Sequence, residues 1–173
     1  NLLDFHEEMG IMIQEVVGTK VGKYYLPSFA GVAFSNNEFR WSPRIKREDG
    51  LIRLVPGLGT RAVDRLSDDY PILIAPGQPN LRVNVSLHEK MKYTPQFIDV
   101  IDLESDGFET RKLSQVIKET GSSYPKLLDL ISIIRDDHIT QSFGLNADFE
   151  KDNIIVTFEG LIQNGPFIQM IKF

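Results

Sequence analysis

The sequence predicts an α+β fold, mainly antiparallel strands with two short helices in its second half. In the first half, short apolar runs are bracketed by glycine and proline turns, the pattern of buried or half-buried strands. After Thr110 the spacing changes, and Leu113, Val116 and Ile117 recur as one face of a helix. Composition is ordinary for a globular chain: 173 residues, 42% hydrophobic and 25% charged. That length suits one domain, or two small lobes sharing a core.

Taken in order, Gly10-Ile11-Met12-Ile13-Gln14-Glu15-Val16-Val17-Gly18 is an apolar run between glycines and predicts a buried strand. Tyr24-Tyr25 and Ala30 to Ser35 predict two more, with a turn at Pro27-Ser28. On this reading Gln14 to Val17 forms a central strand paired with Gly31 to Ser35. Residues 36–50 are polar and basic and predict a loop. Leu51 to Val55 predicts a strand closed by Pro56-Gly57-Leu58-Gly59, and Ile72 to Ala75 a short one inside a proline-rich connection. Leu81 to Val85 alternates apolar and polar, as does Phe97 to Leu103 less cleanly, so both predict strands. Thr110 is positioned to cap the first helix and Gly121 to stop it. Ser123 and Pro125 open a second, with Leu127, Leu128, Ile131 and Ile134 as its buried face. Asn153 to Phe158 predicts the last strand, and Pro166 a helix start.

Several function classes are disfavoured at once. The chain has no cysteine, which removes disulfides and thiolate metal sites. No apolar run approaches the roughly 20 residues of a membrane helix, and the expected location is the cytoplasm. The net charge of −5 argues against nucleic-acid or anionic-membrane partners. His6, His88 and His138 lack metal-ligand spacing and are expected at the surface. Asp68-Asp69 and Asp136-Asp137 sit at element ends, where turn chemistry accounts for aspartate. Neither a catalytic constellation nor a metal-ligand set can be named from the residues. The chain opens on Asn1 and stops at Phe173 early in an apolar stripe, so the expectation is a piece of one longer domain cut at both ends.

One charge feature stands out. From Arg40 to Arg65, seven basic residues face only Glu48, Asp49 and Asp64, beside the Gly57-Leu58-Gly59-Thr60 turn. Arginine suits bidentate phosphate binding, and glycine-rich turns present backbone N–H groups to anions. Arg53, Arg61 and Arg65 are therefore phosphate-facing candidates, while a solvated basic loop paired with acids explains the same pattern. Gln14 and Glu15 interrupt an apolar strand, and either base recognition or an ordinary core hydrogen bond accounts for them.

The ordered motifs Ile11-Met12-Ile13-Gln14-Glu15-Val16-Val17, Gly31-Val32-Ala33-Phe34-Ser35 and Gly57-Leu58-Gly59 resemble the ATP-grasp domain of the phosphoenolpyruvate synthase and pyruvate phosphate dikinase family. The resemblance spans roughly residues 9–70 and implies an ATP-grasp-like second lobe. Members use ATP and Mg2+ to phosphorylate a histidine on a mobile domain, which passes phosphate to pyruvate. The resemblance places Gln14, Glu15, Val16 and Val17 beside adenine. It implies three partners: the first ATP-grasp lobe, the phosphohistidine domain and the pyruvate-binding domain. Two departures mark this chain. Thr60-Arg61 stands where the family often has glutamate, and the family's metal-holding glutamate with its Gln-x-Arg strand has no counterpart. The chain alone is thus expected to be inactive, inside a longer ATP-dependent kinase. A non-catalytic anion-binding or regulatory module on the same scaffold is the alternative. RNA binding through Arg40 to Arg65, with Phe34, Phe39 and Trp41 stacking, is a third reading that the acidic balance opposes.

Overall fold

The computed structural model describes residues 10–63, 69–141, 153–164 and 167. Among the described residues, three antiparallel sheets and five short α-helices make the α+β lobe that the sequence predicts. The first sheet joins β1 (Thr19–Val21), β2 (Tyr24–Leu26), β6 (Phe97–Asp102) and β7 (Gly107–Lys112) in the order β1-β2-β6-β7. The second is β3 (Phe29–Phe34), β4 (Leu51–Pro56) and β5 (Ile72–Ile74), with β4 central. The third is β10 (Asn153–Val156), β8 (Ile131–Arg135) and β9 (His138–Gln141), with β8 central. The helices are α1 (Thr60–Val63), α2 (Leu87–Lys92), α3 (Leu113–Thr120), α4 (Leu127–Leu130) and α5 (Glu159–Asn164). No helix among the described residues is long and apolar enough to cross a membrane.

One core joins all three sheets. Leu26, Ile98 and Val100 come from the first, Ile52, Leu54 and Ile74 from the second, Ile131 and Val156 from the third. Val116 and Ile117 of α3 and Phe158, Leu161 and Ile162 at α5 close it. Such contiguous burial is the main favourable term holding short strands together.

The structure corrects four expectations. Residues 10–18 form no strand, and Ile11 and Val17 are 84% and 82% exposed. β3 pairs instead with β4, from Phe29↔Pro56 to Phe34↔Leu51, and among the described residues its other edge has no partner. An apolar run becomes a strand only where a ladder satisfies its backbone, and here none does. Residues 81–85 are irregular for the same reason. Thr110 lies in β7 opposite Asp99 rather than capping α3, whose N-cap is Lys112. β7 escapes a hydrophobic search because Glu109 and Arg111, half-buried, are charged and paired to each other. Finally, the second helix stops at Leu130, and Ile131 to Ile134 enter a sheet as a central strand buried throughout. A continuous β-branched run buried on both faces has no period to separate it from a helix. The helix expected at Pro166 lies outside the described residues. Phe167 alone is seen, its ring edge-on to Phe29 at 5.5 Å.

Candidate functional site

The glycine turn and the residues around it are fixed by packing. Gly57 has φ +69, and a Cβ there would lie 2.5 Å from Ile98 Cγ1 and 2.7 Å from the Asp99 carbonyl oxygen. Only glycine lets β4 leave its sheet so close to β6. The turn's amides point inward: Gly57 N–H donates to the Ser28 carbonyl at 3.4 Å and Leu58 N–H to the Asp99 carbonyl at 3.0 Å. Tyr124 Oη also donates to the Ser28 carbonyl, at 2.8 Å, and burial pushes that phenol above its ordinary range.

Arg61, on the one-turn helix after the glycines, is 8% exposed. Its Nε donates to Asp69 Oδ2 at 3.0 Å, its Nη1 lies 3.6 Å from Asp99 Oδ1, and its guanidinium stacks on the Phe97 ring at 5.3 Å. Both carboxylates are further satisfied. Thr60 and Thr110 hydroxyls donate to Asp99 at 2.5 and 2.6 Å, and the Gln96 and Phe97 amides donate to Asp69 at 2.8 and 3.2 Å. A buried charge persists only when paired and hydrogen-bonded in this way. The cluster ties α1, the chain at Asp69 and strand β6 into one unit.

The other candidates are dispersed. Arg53, half-buried on β4, places its guanidinium 5.5 Å from the ring centroid of Phe34 on the neighbouring edge strand β3. Gln14, Glu15, Val16 and Val17 are all exposed. Their segment is anchored at its C-terminal end, where Tyr25 Oη donates to the Val16 carbonyl at 3.1 Å and Gly18 packs against Leu26. Arg65 lies outside the described residues. The basic loop is partly self-paired, through Arg47 with Glu38 at 2.6 Å and Lys46 with Glu48 at 4.0 Å. Of the three histidines, His88 and His138 are exposed and His6 is outside the described residues. Sequence reasoning missed the Asp69–Arg61–Asp99 cluster because its members lie up to 38 positions apart and are joined only by the sheet crossing at Gly57.

A second charged network lies across the first sheet. Tyr24 Oη donates to Glu119 at 2.5 Å, while Lys23 and Arg111 approach Asp102 at 3.8 and 3.6 Å. Burial, then the Glu119 hydrogen bond, raises the Tyr24 phenol, and that same bond holds the Glu119 carboxyl below its usual range. Among the described residues no group of three or more histidines, aspartates or glutamates is arranged to hold a metal ion.

No curated protein and no solved structure matches the chain. The model of the family described as pyruvate phosphate dikinase, AMP/ATP-binding domain, matches residues 1–130. That span holds the exposed 10–18 segment, strands β1 to β7 and the whole Arg61 cluster. On this match the chain belongs to the pyruvate phosphate dikinase AMP/ATP-binding domain family.

Proposed function

We propose that the chain supplies part of the ATP-binding domain of an ATP-dependent phosphotransferase resembling phosphoenolpyruvate synthase, which phosphorylates a histidine on a mobile domain. The observation that carries this is the exposed segment Gly10–Gly18, inside the family-matched span and held at its C-terminal end against β2 by Tyr25. Unpaired backbone and the Gln14 and Glu15 side chains give donors and acceptors for a purine edge, and Ile13 and Val17 give it an apolar face. Arg53 is the phosphate-facing candidate left with a half-exposed position. A first ATP-grasp lobe, a phosphohistidine domain and a pyruvate-binding domain are the partners this reading requires. Mg2+ would neutralise charge on the transferred phosphate, but the carboxylates at the glycine turn do not fit that role. Asp69 and Asp99 already accept bonds from Arg61, two threonines and three amides.

That commitment of Asp69 and Asp99 favours a second reading, a non-catalytic nucleotide- or anion-binding module on the same scaffold. Titration of the chain with ATP by NMR separates these from no nucleotide role at all. Affinity of roughly millimolar is expected for a half-built cleft, with shift changes centred on residues 10–18 and lost in the Gln14→Ala/Glu15→Ala variant. Shift changes absent at saturating ATP, or unchanged in that variant, sink the assignment. Phosphorylation of a histidine in the longer protein, checked by acid-labile label from ATP, distinguishes the enzyme from the module.

A further inference from the structure

A cavity of about 470 Å³ lies away from the segment discussed above, where β5, α2 and β10 converge. Ile72, Val83 and Val156 give it apolar walls, and Tyr70 and Tyr93 add aromatic ones. Those two rings meet edge to face at 5.1 Å, a favoured aromatic geometry. The volume falls in the usual range for small-molecule sites, roughly 300–1,000 Å³. One wall is the irregular chain at residues 81–85, pinned where Trp41 Nε1 donates to the Leu81 carbonyl at 2.9 Å.

The polar groups of this cavity are unevenly committed. Glu89 is spent on α2, accepting from Val85 N, Ser86 N and Ser86 Oγ. Glu159 is spent on Arg82, which it holds through Nε at 3.3 Å and Nη2 at 3.1 Å. Two cationic groups remain. Arg82 Nη1 is buried with no hydrogen-bond partner, and half-buried Lys90 has no salt bridge to any described residue. Arg82 Nη1 is shut away from the cavity, so the positive charge an entering oxyanion can reach is that of Lys90, where it would gain a charge-assisted hydrogen bond.

We propose that this cavity binds a small planar aromatic molecule carrying one carboxylate-type oxyanion, its ring packed between the Tyr70–Tyr93 pair on one side and Val83 on the other and its acid group at Lys90. The site is separate from the nucleotide reading, because its lining includes neither Arg53 nor any residue of the 10–18 segment. Ligand binding there would bridge the matched region to the segment that follows it.

The test uses 2-naphthoate and its neutral counterpart 2-naphthol, followed by NMR shifts and by displacement of the fluorescent sulfonate 8-anilinonaphthalene-1-sulfonate. We expect saturable binding of naphthoate at one site, at least tenfold tighter than naphthol. Val83→Trp, which fills the cavity, should abolish it, and Lys90→Gln should weaken it about fivefold with the urea midpoint unchanged. Half-buried Lys90 makes no salt bridge to a described residue, so that variant reports even where Val83→Trp fails to fold. Ile13→Ser/Val17→Ser, on the exposed segment, should leave naphthoate binding intact. Equal affinity for naphthol, indifference to Lys90→Gln, loss of binding in the Ile13→Ser/Val17→Ser variant, or displacement of naphthoate by ATP would each overturn the proposal.

Discussion

Replacing Arg61 with alanine distinguishes a structural cation from a phosphate ligand. The side chain is 8% exposed, and its partners Asp69 and Asp99 are 8% and 3% exposed. Removing it leaves two buried carboxylates facing each other across the space the guanidinium filled. Breaking a buried ion pair from one side costs about 3–5 kcal/mol, a large share of the roughly 5–15 kcal/mol that holds a typical domain together. For a chain of this size each kcal/mol lowers the melting temperature by about 2–4 °C, so a fall of roughly 10 °C is expected. The same loss should show as a shift of the urea midpoint without a change in slope. Adding Asp69→Asn and Asp99→Asn should recover part of it, because the repulsion then disappears. An Arg61→Ala protein with an unchanged urea midpoint and tenfold weaker ATP binding would refute this reasoning and return Arg61 to the phosphates.

Three further outcomes follow from the geometry. Gly57→Ala should destabilise by about 3 kcal/mol or more, from a left-handed backbone and a collision with Ile98. Gly22→Ala, at φ +61 with nothing within 4 Å, should cost only about 1 kcal/mol, and equal losses by urea denaturation would contradict the packing account. Thr94 Oγ1 accepts from Val156 N at 2.8 Å and donates to the Val156 carbonyl at 3.2 Å, so Thr94→Val should cost about 2 kcal/mol through two stranded backbone groups. A midpoint within error of wild type would remove that clasp from the stability argument. The Asp102 carboxyl is held below its usual range, first by the Glu104 amide, against opposing burial, and then by the Ser105 amide, Lys23 and Arg111. A depressed carboxylate contributes stability above its unfolded value, about 3.9, and loses it as pH falls through the folded value. Wild-type stability should therefore drop between about pH 5 and pH 3, and less steeply in Asp102→Asn; parallel profiles would clear Asp102 of the effect.

What the sequence discloses here depends on whether a residue's partner is near it in the chain. α3 was legible because Leu113, Val116 and Ile117 carry their own period. β4 and β6 were legible because they are dense apolar runs between turns. Residues 10–18 are a similar apolar run yet stand in no ladder, and composition alone does not reveal whether a strand edge lies alongside. β7 was invisible because its inward positions are Glu109 and Arg111, which a hydrophobic pattern reads as solvent-facing. The family was legible from the order of three short motifs. The fate of Arg61 was not, because a basic loop looks alike whether its charges meet a ligand or a pair of aspartates brought across a sheet.

The shared core also bears on where this chain can be cut. The family match ends at residue 130, a natural place to divide the gene for expression. Yet Val156, Phe158, Leu161 and Ile162 pack into the same core as Leu26, Ile98 and Val100. Thr94 would lose both partners on Val156, and Arg82 would lose Glu159. A chain stopped at Leu130 would present an apolar face to water, the condition that drives association and precipitation. The homology boundary and the folding boundary are different lines, and the second lies at or beyond Asn164.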